Sequence, residues 1–570
     1  MALAAVSLVA AIACSSSDDG DVNTVPSTTQ ASAAATATAT AVPTVTASLI
    51  DRVVIGTPPP TREGNNPGKE LGPAATVQLR PMFEYLIGYD PNNGDLTPQL
   101  ATSWSVEPDD MSIRFQLQEG AQFHNNNGEF GAQDVVYSLA QISAEDAEHS
   151  HSSRYQRVTL EVVNDHEIIF RLTKPQAELL QSISEQISAL EIQSAADFEV
   201  LGEAPSASTR PLAGTGAYQY VEREQGQSIL FERVPYEHWR YQPDFQELQF
   251  RWMNEASTRL AALLTEEIHL AGLPQDQMQQ AISDGMAVAT GPIAAQHNFM
   301  RFKGVYGDEA YARGNYVKQN TPCGFVHCDS PFLDVRVRKA LNKAVDRDVI
   351  NRSFLGNKGQ TMVMNHIPSS HAASNPEWER NFPEAYGYDP QAARALLAEA
   401  GYGPDNPLKV VVELTTLPWY STSADVGEAV SGFWRDIDNI DISLISPDRA
   451  ANNAQTREFT FKNHMIFRNT SAHPVQSWRV YDSHILRGGN VELPELRPLN
   501  VLLQETMDSV RQVQLLRETG DTAYALYTNV FLHWVPAEVI YNPKFVESYG
   551  FPGSITDIYT HFDHLKAVKR

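Results

Sequence analysis

The side chains that could do chemistry fall into a few small groups. There are three cysteines, Cys14, Cys323 and Cys328. The last two form a C-x4-C pair with no second Cys pair and no His pair at finger spacing, so they make no zinc cluster. His149 and His151 stand at i and i+2 in HSH, a spacing that can share a metal. With no third His beside them they read as an exposed polar loop. His124, in FHNNNG, reads as structural rather than catalytic. Gly214-Thr215-Gly216 lacks the GxGxxG spacing and the following Lys-Ser/Thr of a phosphate loop. There is no GxSxG and no HExxH. The 69 acidic residues guarantee chance carboxylate pairs, so a pair alone identifies no hydrolase. No catalytic constellation, metal or cofactor is expected.

Composition narrows the classes further. At 570 residues the chain is too long for one core, and two or three domains are expected. A net charge of −26 argues against nucleic acid, whose phosphates need a basic surface. No stretch reaches the roughly 18 to 20 uninterrupted apolar residues of a membrane span.

The N-terminus explains where the cysteines work. Residues 1–14, MALAAVSLVAAIAC, are apolar and short, like the core of an export signal. Ala11-Ile12-Ala13-Cys14 approximates a lipobox, which makes Cys14 the expected lipidation site. No Lys or Arg precedes Arg52, a departure from the positive start that such signals carry. Residues 15–48 are rich in Ser, Thr, Ala and Pro and have no aromatic residue. They cannot bury enough apolar area to offset ordering, and read as a disordered tether. In an exported chain, Cys323 and Cys328 are expected to close a short disulfide loop around GFVH.

The elements that position these groups follow from periodicity. In DVRVRKALNKAVDRD, Asp334 to Asp348, Val337, Ala340, Leu341, Ala344 and Val345 share one helix face, with Asp334 as N-cap. Arg336, Arg338, Lys339 and Lys343 are expected mainly on the rest of its surface. Asp346 caps a second short helix ending near Gly356. Arg52 to Gly56 reads as a strand, followed by a Gly/Pro-rich loop. Ile113, Phe115 and Leu117 alternate as a half-buried strand, and 158–173 read as a hairpin about Asn164-Asp165. YDPQAARALLAEAG, 388–401, is a helix with Asp389 as cap and Pro390 at its first position. Val410 to Leu414, Ser423 to Arg435 and Ile440 to Ile445 read as strand, helix and strand, an α/β layer.

Five segments, in order, resemble the family 5 extracellular solute-binding proteins, the peptide-, dipeptide- and nickel-type binding components of ABC importers. PFLDVRVRKALNKAVDR is similar to a signature of that family. So is the run with Pro98, Leu100, Ala101, Trp104, Gly120, Phe123, His124, Gly128, Ala132, Asp134, Val135, Val136 and Ser138. Gly214-Thr215-Gly216 with Tyr218, the 388–401 helix, and the end FLHWVPAEVIYNPKFVESYGFPG complete it. Ala217 stands where the family has Pro. The resemblance implies an α/β, two-lobed periplasmic-binding-protein-like fold of type II, with an extra inserted domain and the ligand cleft between the lobes. Domain I would comprise 49–77, 206–303 and 535–570, domain II 78–205, and domain III 304–534. The glycines at 214–216 would allow close backbone packing where the chain returns to domain I.

The same resemblance implies capture of a peptide or similar small solute, lobe closure, and delivery to ABC permease transmembrane subunits, with no bond made or broken. The chain would act outside the cytoplasm as a membrane-anchored, monomeric lipoprotein. The residues it places at the ligand are Trp419, Tyr420, Arg468, Asn469, His473 and Trp478, with Arg62 and Asn65 from the loop after the first strand. Where some peptide binders carry an Asp for the peptide α-amine, this chain has His473-Pro474. A neutral His suits an ammonium group poorly. A nickel chelate, an oligosaccharide or an opine is therefore the alternative ligand, and a non-transport, ligand-sensing lipoprotein the alternative role.

Overall fold

A computed structural model describes residues 48–570, apart from 61, 69–72, 94, 150, 188–189, 203–209, 292–295, 309–319, 416, 418–419, 421, 448–451, 453, 456–457, 472–473, 482–490 and 552–558. Cys14, the tether up to residue 47, Trp419 and His473 lie outside the described residues. Strands are numbered β1 to β21 along the chain.

The RVVIG run forms β1 (Arg52–Thr57), whose Val53 and Ile55 are completely buried. It lies inside a seven-stranded sheet ordered β12 (Ala287–Thr290), β19 (Glu538–Tyr541), β11 (Leu270–Ala271), β1, β10 (Glu247–Trp252), β9 (Ser228–Arg233) and β8 (Tyr218–Glu224). β1 runs parallel to both neighbours, β10 and β11, as a strand with a continuous apolar run does. A four-stranded antiparallel sheet, β4 (Ala101–Val106), β5 (Ser112–Leu117), β7 (Glu167–Leu172) and β6 (Val158–Asn164), builds a separate unit beside it. A six-stranded sheet is ordered β14 (Gln360–Thr361), β18 (Asn529–Val535), β13 (Gln296–Lys303), β17 (His464–Ser471), β15 (Leu408–Glu413) and β16 (Ile440–Ile445). Two hairpins, β2 (Ile87–Tyr89) with β3 (Leu96–Pro98) and β20 (Val546–Tyr549) with β21 (Leu565–Ala567), complete the strands among the described residues.

The chain passes between the two large sheets twice, from β12 into β13 and from β18 into β19. Thr290 lies opposite Glu538 in one sheet, and Gln296 opposite Val535 in the other. The two crossings therefore begin and end side by side. The seven-stranded sheet with its four-stranded unit is the first lobe, and the six-stranded sheet with its helices is the second.

The four-stranded unit is fixed to the first lobe by close backbone approach. A Cβ at Gly216 would stand 2.6 Å from the Pro81 carbonyl, and one at Gly214 would collide with that of Met82. His124 is buried, its backbone N–H donates to Gly214 O at 3.0 Å, and its Nε2 bonds Gly216 O at 2.7 Å. Burial lowers its pKa to about 4, so the ring is neutral, a structural histidine. Buried Glu84 accepts from Trp239 Nε1 and Arg240 Nε, each at 2.9 Å. Burial pushes its carboxyl up, but the His238 hydrogen bond and the Arg240 charge outweigh this and hold it at about 2. His149 departs from the expected exposed loop: it is 3% exposed. The turn Ser152–Tyr155 folds back on it, Ser152 Oγ donating to its carbonyl at 2.8 Å, and burial keeps the ring neutral.

In the second lobe the helix Val335–Lys343 is capped by Asp334, which accepts from Arg336 N at 2.9 Å. The helix Arg347–Phe354 is capped by Asp346 through Val349 N at 3.0 Å. Val337, Ala340, Leu341 and Val345 are completely buried. Arg338 and Lys343, expected on the surface, are buried as well, Arg338 to 1% exposure. Arg338 is drawn in by carbonyls outside its own helix, and Arg347 by those at the break between the two helices and beyond it. Arg347 donates to Asn342 O and Val345 O at 3.2 Å, to Tyr386 O at 2.9 Å and to Phe531 O at 2.6 Å. Arg338 donates to Phe332 O at 2.6 Å and Leu526 O at 2.8 Å. Burial lowers both guanidinium pKa values to about 10, which leaves them charged at neutral pH.

The six-stranded sheet carries a buried ion pair. Lys303 Nζ lies 2.7 and 2.9 Å from the two Glu413 oxygens, spanning from β13 to β15, and sits 3.3 Å from the Phe461 ring centroid. Burial lowers Lys303 to about 7; Glu413 opposes this, while Arg301 and Arg468 add to it. Cys323 and Cys328 are joined by a disulfide with Cα atoms 5.7 Å apart. Their loop donates Val326 N to Tyr306 O at 2.9 Å and bonds Phe459 O through His327 Nε2 at 2.7 Å.

Three outcomes are expected. Arg347→Lys keeps the charge but reaches fewer carbonyls, and should cost about 2 kcal/mol or more in chemical denaturation. Glu413→Gln should cost about 3 kcal/mol or more, with most of it recovered in the Lys303→Met/Glu413→Leu double variant. Between about pH 7 and 10 the unfolded chain holds a proton on Lys303 that the folded chain has shed, so stability should rise with pH there. Lys303→Met should remove that slope in denaturation series run at several pH values.

Candidate ligand-binding cleft

Strand direction locates the site. In the first lobe β1, β10 and β11 are parallel, and Ala271 at the end of β11 lies opposite Ile540, next to the crossing at Glu538. In the second lobe β15, β16 and β17 are parallel, and Ser471 at the end of β17 lies opposite Gln296, where β13 enters. The carboxyl ends of both sheets thus point to the crossings. Open α/β sheets bind ligands at that edge.

The loop after β15 is held by Ser423, whose Oγ accepts from Leu417 N at 2.8 Å and donates to Thr415 O at 2.9 Å. This places Tyr420 over Phe467, the rings stacked with centroids 5.8 Å apart. Tyr420 Oη accepts from Asn298 Nδ2 at 2.9 Å. Asn298 Oδ1 accepts from Asn469 Nδ2 at 2.8 Å, which also lies 3.4 Å from Gln296 Oε1. Burial raises the Tyr420 pKa, so the phenol is neutral. One face of β13 and β17 therefore carries a neutral run of three carboxamides and a phenol. Asn469 Oδ1 is buried with no hydrogen-bond partner.

The other sequence-derived candidates are distributed differently. Arg468 lies opposite Phe299, on the reverse face from Asn469, with Arg301 and Lys303. Trp478 is completely buried, edge-on to His366 at 5.1 Å, and offers no surface to a solute in this conformation. His366 Nδ1 and His297 Nε2 share a hydrogen bond of 2.9 Å behind it. Asn65 is buried and accepts from Arg223 Nη2 at 2.7 Å, next to the seven-stranded sheet. Arg62 is exposed and ion-paired with Glu148. The structure brings Tyr420 and Asn469 together and leaves Arg468, Trp478, Asn65 and Arg62 apart from them. Gln296 and Asn298 were missed by sequence reasoning. Their signal is a pair of carboxamides at alternate positions at the start of β13, QHNFMRFK. Among the described residues no group of three or more His, Cys, Asp or Glu could hold a metal, and no helix is long and apolar enough to cross a membrane.

Comparison with known proteins gives the family. The profile for bacterial extracellular solute-binding proteins, family 5, matches residues 95–484. A heme-binding protein A of Haemophilus influenzae is 27% identical over 350 residues, covering 58% of this chain and 58% of that protein. The dipeptide-binding protein of Escherichia coli is 23% identical over 412 residues, covering 69% of this chain and 72% of its own. The chain thus spans under two thirds of the first relative's length. The crystal structure of NikA from Brucella suis, in complex with Fe(III)-EDTA, superposes with a TM-score of 0.72 at 20% identity, covering 90% of this chain and all of that one. That likeness is one of fold, two lobes of mixed α/β structure. From the profile match across most of its length, the chain belongs to the bacterial extracellular solute-binding proteins of family 5.

Proposed function

We propose that the chain is the solute-binding lipoprotein of an ABC importer, which captures a small solute between its lobes and hands it to permease subunits without chemical change. The observation that supports this best is the pair of side-by-side strand crossings with both carboxyl edges turned toward them. Such a joint lets two rigid sheets close on a ligand. Closure is driven only as far as the solute binds the closed state better than the open one. Trp419, Tyr420, Arg468, Asn469, His473 and Trp478, with Arg62 and Asn65, remain the candidate ligand contacts or their supports. Cys14 is the proposed lipid anchor, and the disulfide of Cys323 and Cys328 fits an extracytoplasmic setting.

A peptide is the first ligand class to test, by analogy with the dipeptide-binding relative. A non-peptide solute is the second reading, favoured by His473 and by the neutral face of Gln296, Asn298, Asn469 and Tyr420. Neither supplies a carboxylate for an ammonium group.

Native mass spectrometry of the whole chain, purified without refolding, should show a bound solute that is released on denaturation. A ladder of short peptides would establish peptide binding, and a single other species would name the non-peptide ligand. Tyr420→Ala should carry roughly tenfold less solute, a loss of about 1.4 kcal/mol. An unchanged load in that variant would remove Tyr420 from the site. Cys14→Ser should move the protein from the membrane to the soluble fraction.

A further inference from the structure

Among the described residues the four-stranded unit meets the second lobe just past β7, and the contact is reciprocal. Ala177, just past the end of β7, belongs by packing to the core of the six-stranded lobe. Met507, between the helices Leu496–Glu505 and Ser509–Leu526, packs in return against the core of the four-stranded unit. Between them Ala177 N donates to Gln504 O at 2.9 Å, and Lys174 Nζ lies 3.6 Å from Glu505 Oε1. The two sides are joined covalently only through the crossings. The unit itself is bound to the seven-stranded sheet by Gly214, Gly216, His124 and Glu84.

We propose that this contact is a clasp. The 174–177 turn and the 504–507 corner hold the lobes shut from the four-stranded unit, apart from the crossings and from the solute. Its composition suits a contact that opens and recloses. Among the described residues it shows one backbone hydrogen bond, one half-exposed ion pair and two apolar insertions, Ala177 and Met507. A half-exposed pair holds weakly and is screened by salt. Leu502 and Val510 flank the corner and are 49% and 66% exposed, so apolar surface beside the clasp stays in contact with water. The clasp biases an equilibrium between open and closed lobes that the solute then completes. This rests on the reading of the chain as a two-lobed solute-binding protein, and gives the four-stranded unit a part in it.

The test needs no solute. A water-soluble carbodiimide, added to the whole chain, should form an amide between Lys174 and Glu505, read by mass spectrometry of the digest. Hydrogen exchange at the Ala177 amide should be slow in the native chain. It should speed up by about tenfold or more in Met507→Asp, which inserts a charge into an apolar contact. It should also speed up, more modestly, in Glu505→Lys, which sets like charges against each other on the surface without disturbing either core. Exchange in β1 and β13 should be unchanged in both variants. Absence of the Lys174–Glu505 cross-link, or unchanged exchange at Ala177 in Glu505→Lys and Met507→Asp alike, would overturn the clasp. Solute loading is read separately: a chain that carries no solute yet shows the cross-link keeps the clasp and loses the binding role, and the reverse keeps the role and loses the clasp.

Discussion

Everything between the two lobes depends on two neighbouring strands that leave one sheet and enter another. β12 and β19 are paired before the crossing, and β13 and β18 after it. Hydrogen bonding on both sides ties the ends of the two passages together. The bonds Gly291 N to Ala537 O at 2.8 Å and Lys358 Nζ to Glu538 Oε1, also at 2.8 Å, brace the joint. In the proposed closure such a joint would set the direction, and side chains at the carboxyl edges would set what is closed upon.

The second lobe shows how the protein handles groups that water cannot reach. Arg338 and Arg347 are enclosed by carbonyls, not carboxylates. Each guanidinium replaces a hydration shell with fixed dipoles; Arg338 joins the segment at Phe332 to the helix end at Leu526, and Arg347 joins the helix break to β18 and Tyr386. Lys303 takes the other route and is neutralised by Glu413. The cluster at Tyr420 uses neither: its polarity is wholly uncharged, so its desolvation cost is small and its recognition is directional. These choices separate the charged residues that hold the frame from the uncharged cluster proposed to meet a ligand.

The helices and strands were legible where local signals agreed. Asp334, Asp346 and Asp389 cap the helices assigned to them, because an Asp before an amphipathic run has few other uses. Ser423–Arg435 and Ile440–Ile445 have the ends read from the sequence. The burial of Arg338, Lys343 and His149 was not legible, because periodicity assigns charge to solvent and cannot see the carbonyls or turns that enclose it. The grouping at the candidate site was legible in part. Tyr420 and Asn469 came from family resemblance, but their partner Asn298 lies far away in sequence. Only the register of β13 against β17 brings them together. Trp478 is the opposite case, a large aromatic in the right segment whose ring faces the core.

The order of strands also bears on how the chain is made. β18 and β19 occupy interior positions in the two large sheets, yet they are formed by residues 529–541. β13 and β11 each lack a neighbour until those residues arrive. During synthesis both sheets therefore remain split, with no complete lobe to fold around, until residues 529–541 have emerged. Pairing over such long sequence separations is slow. A translocation channel that accepts only extended polypeptide would meet this chain before its structure could obstruct passage, and the final strand pair would lock both lobes together on the far side.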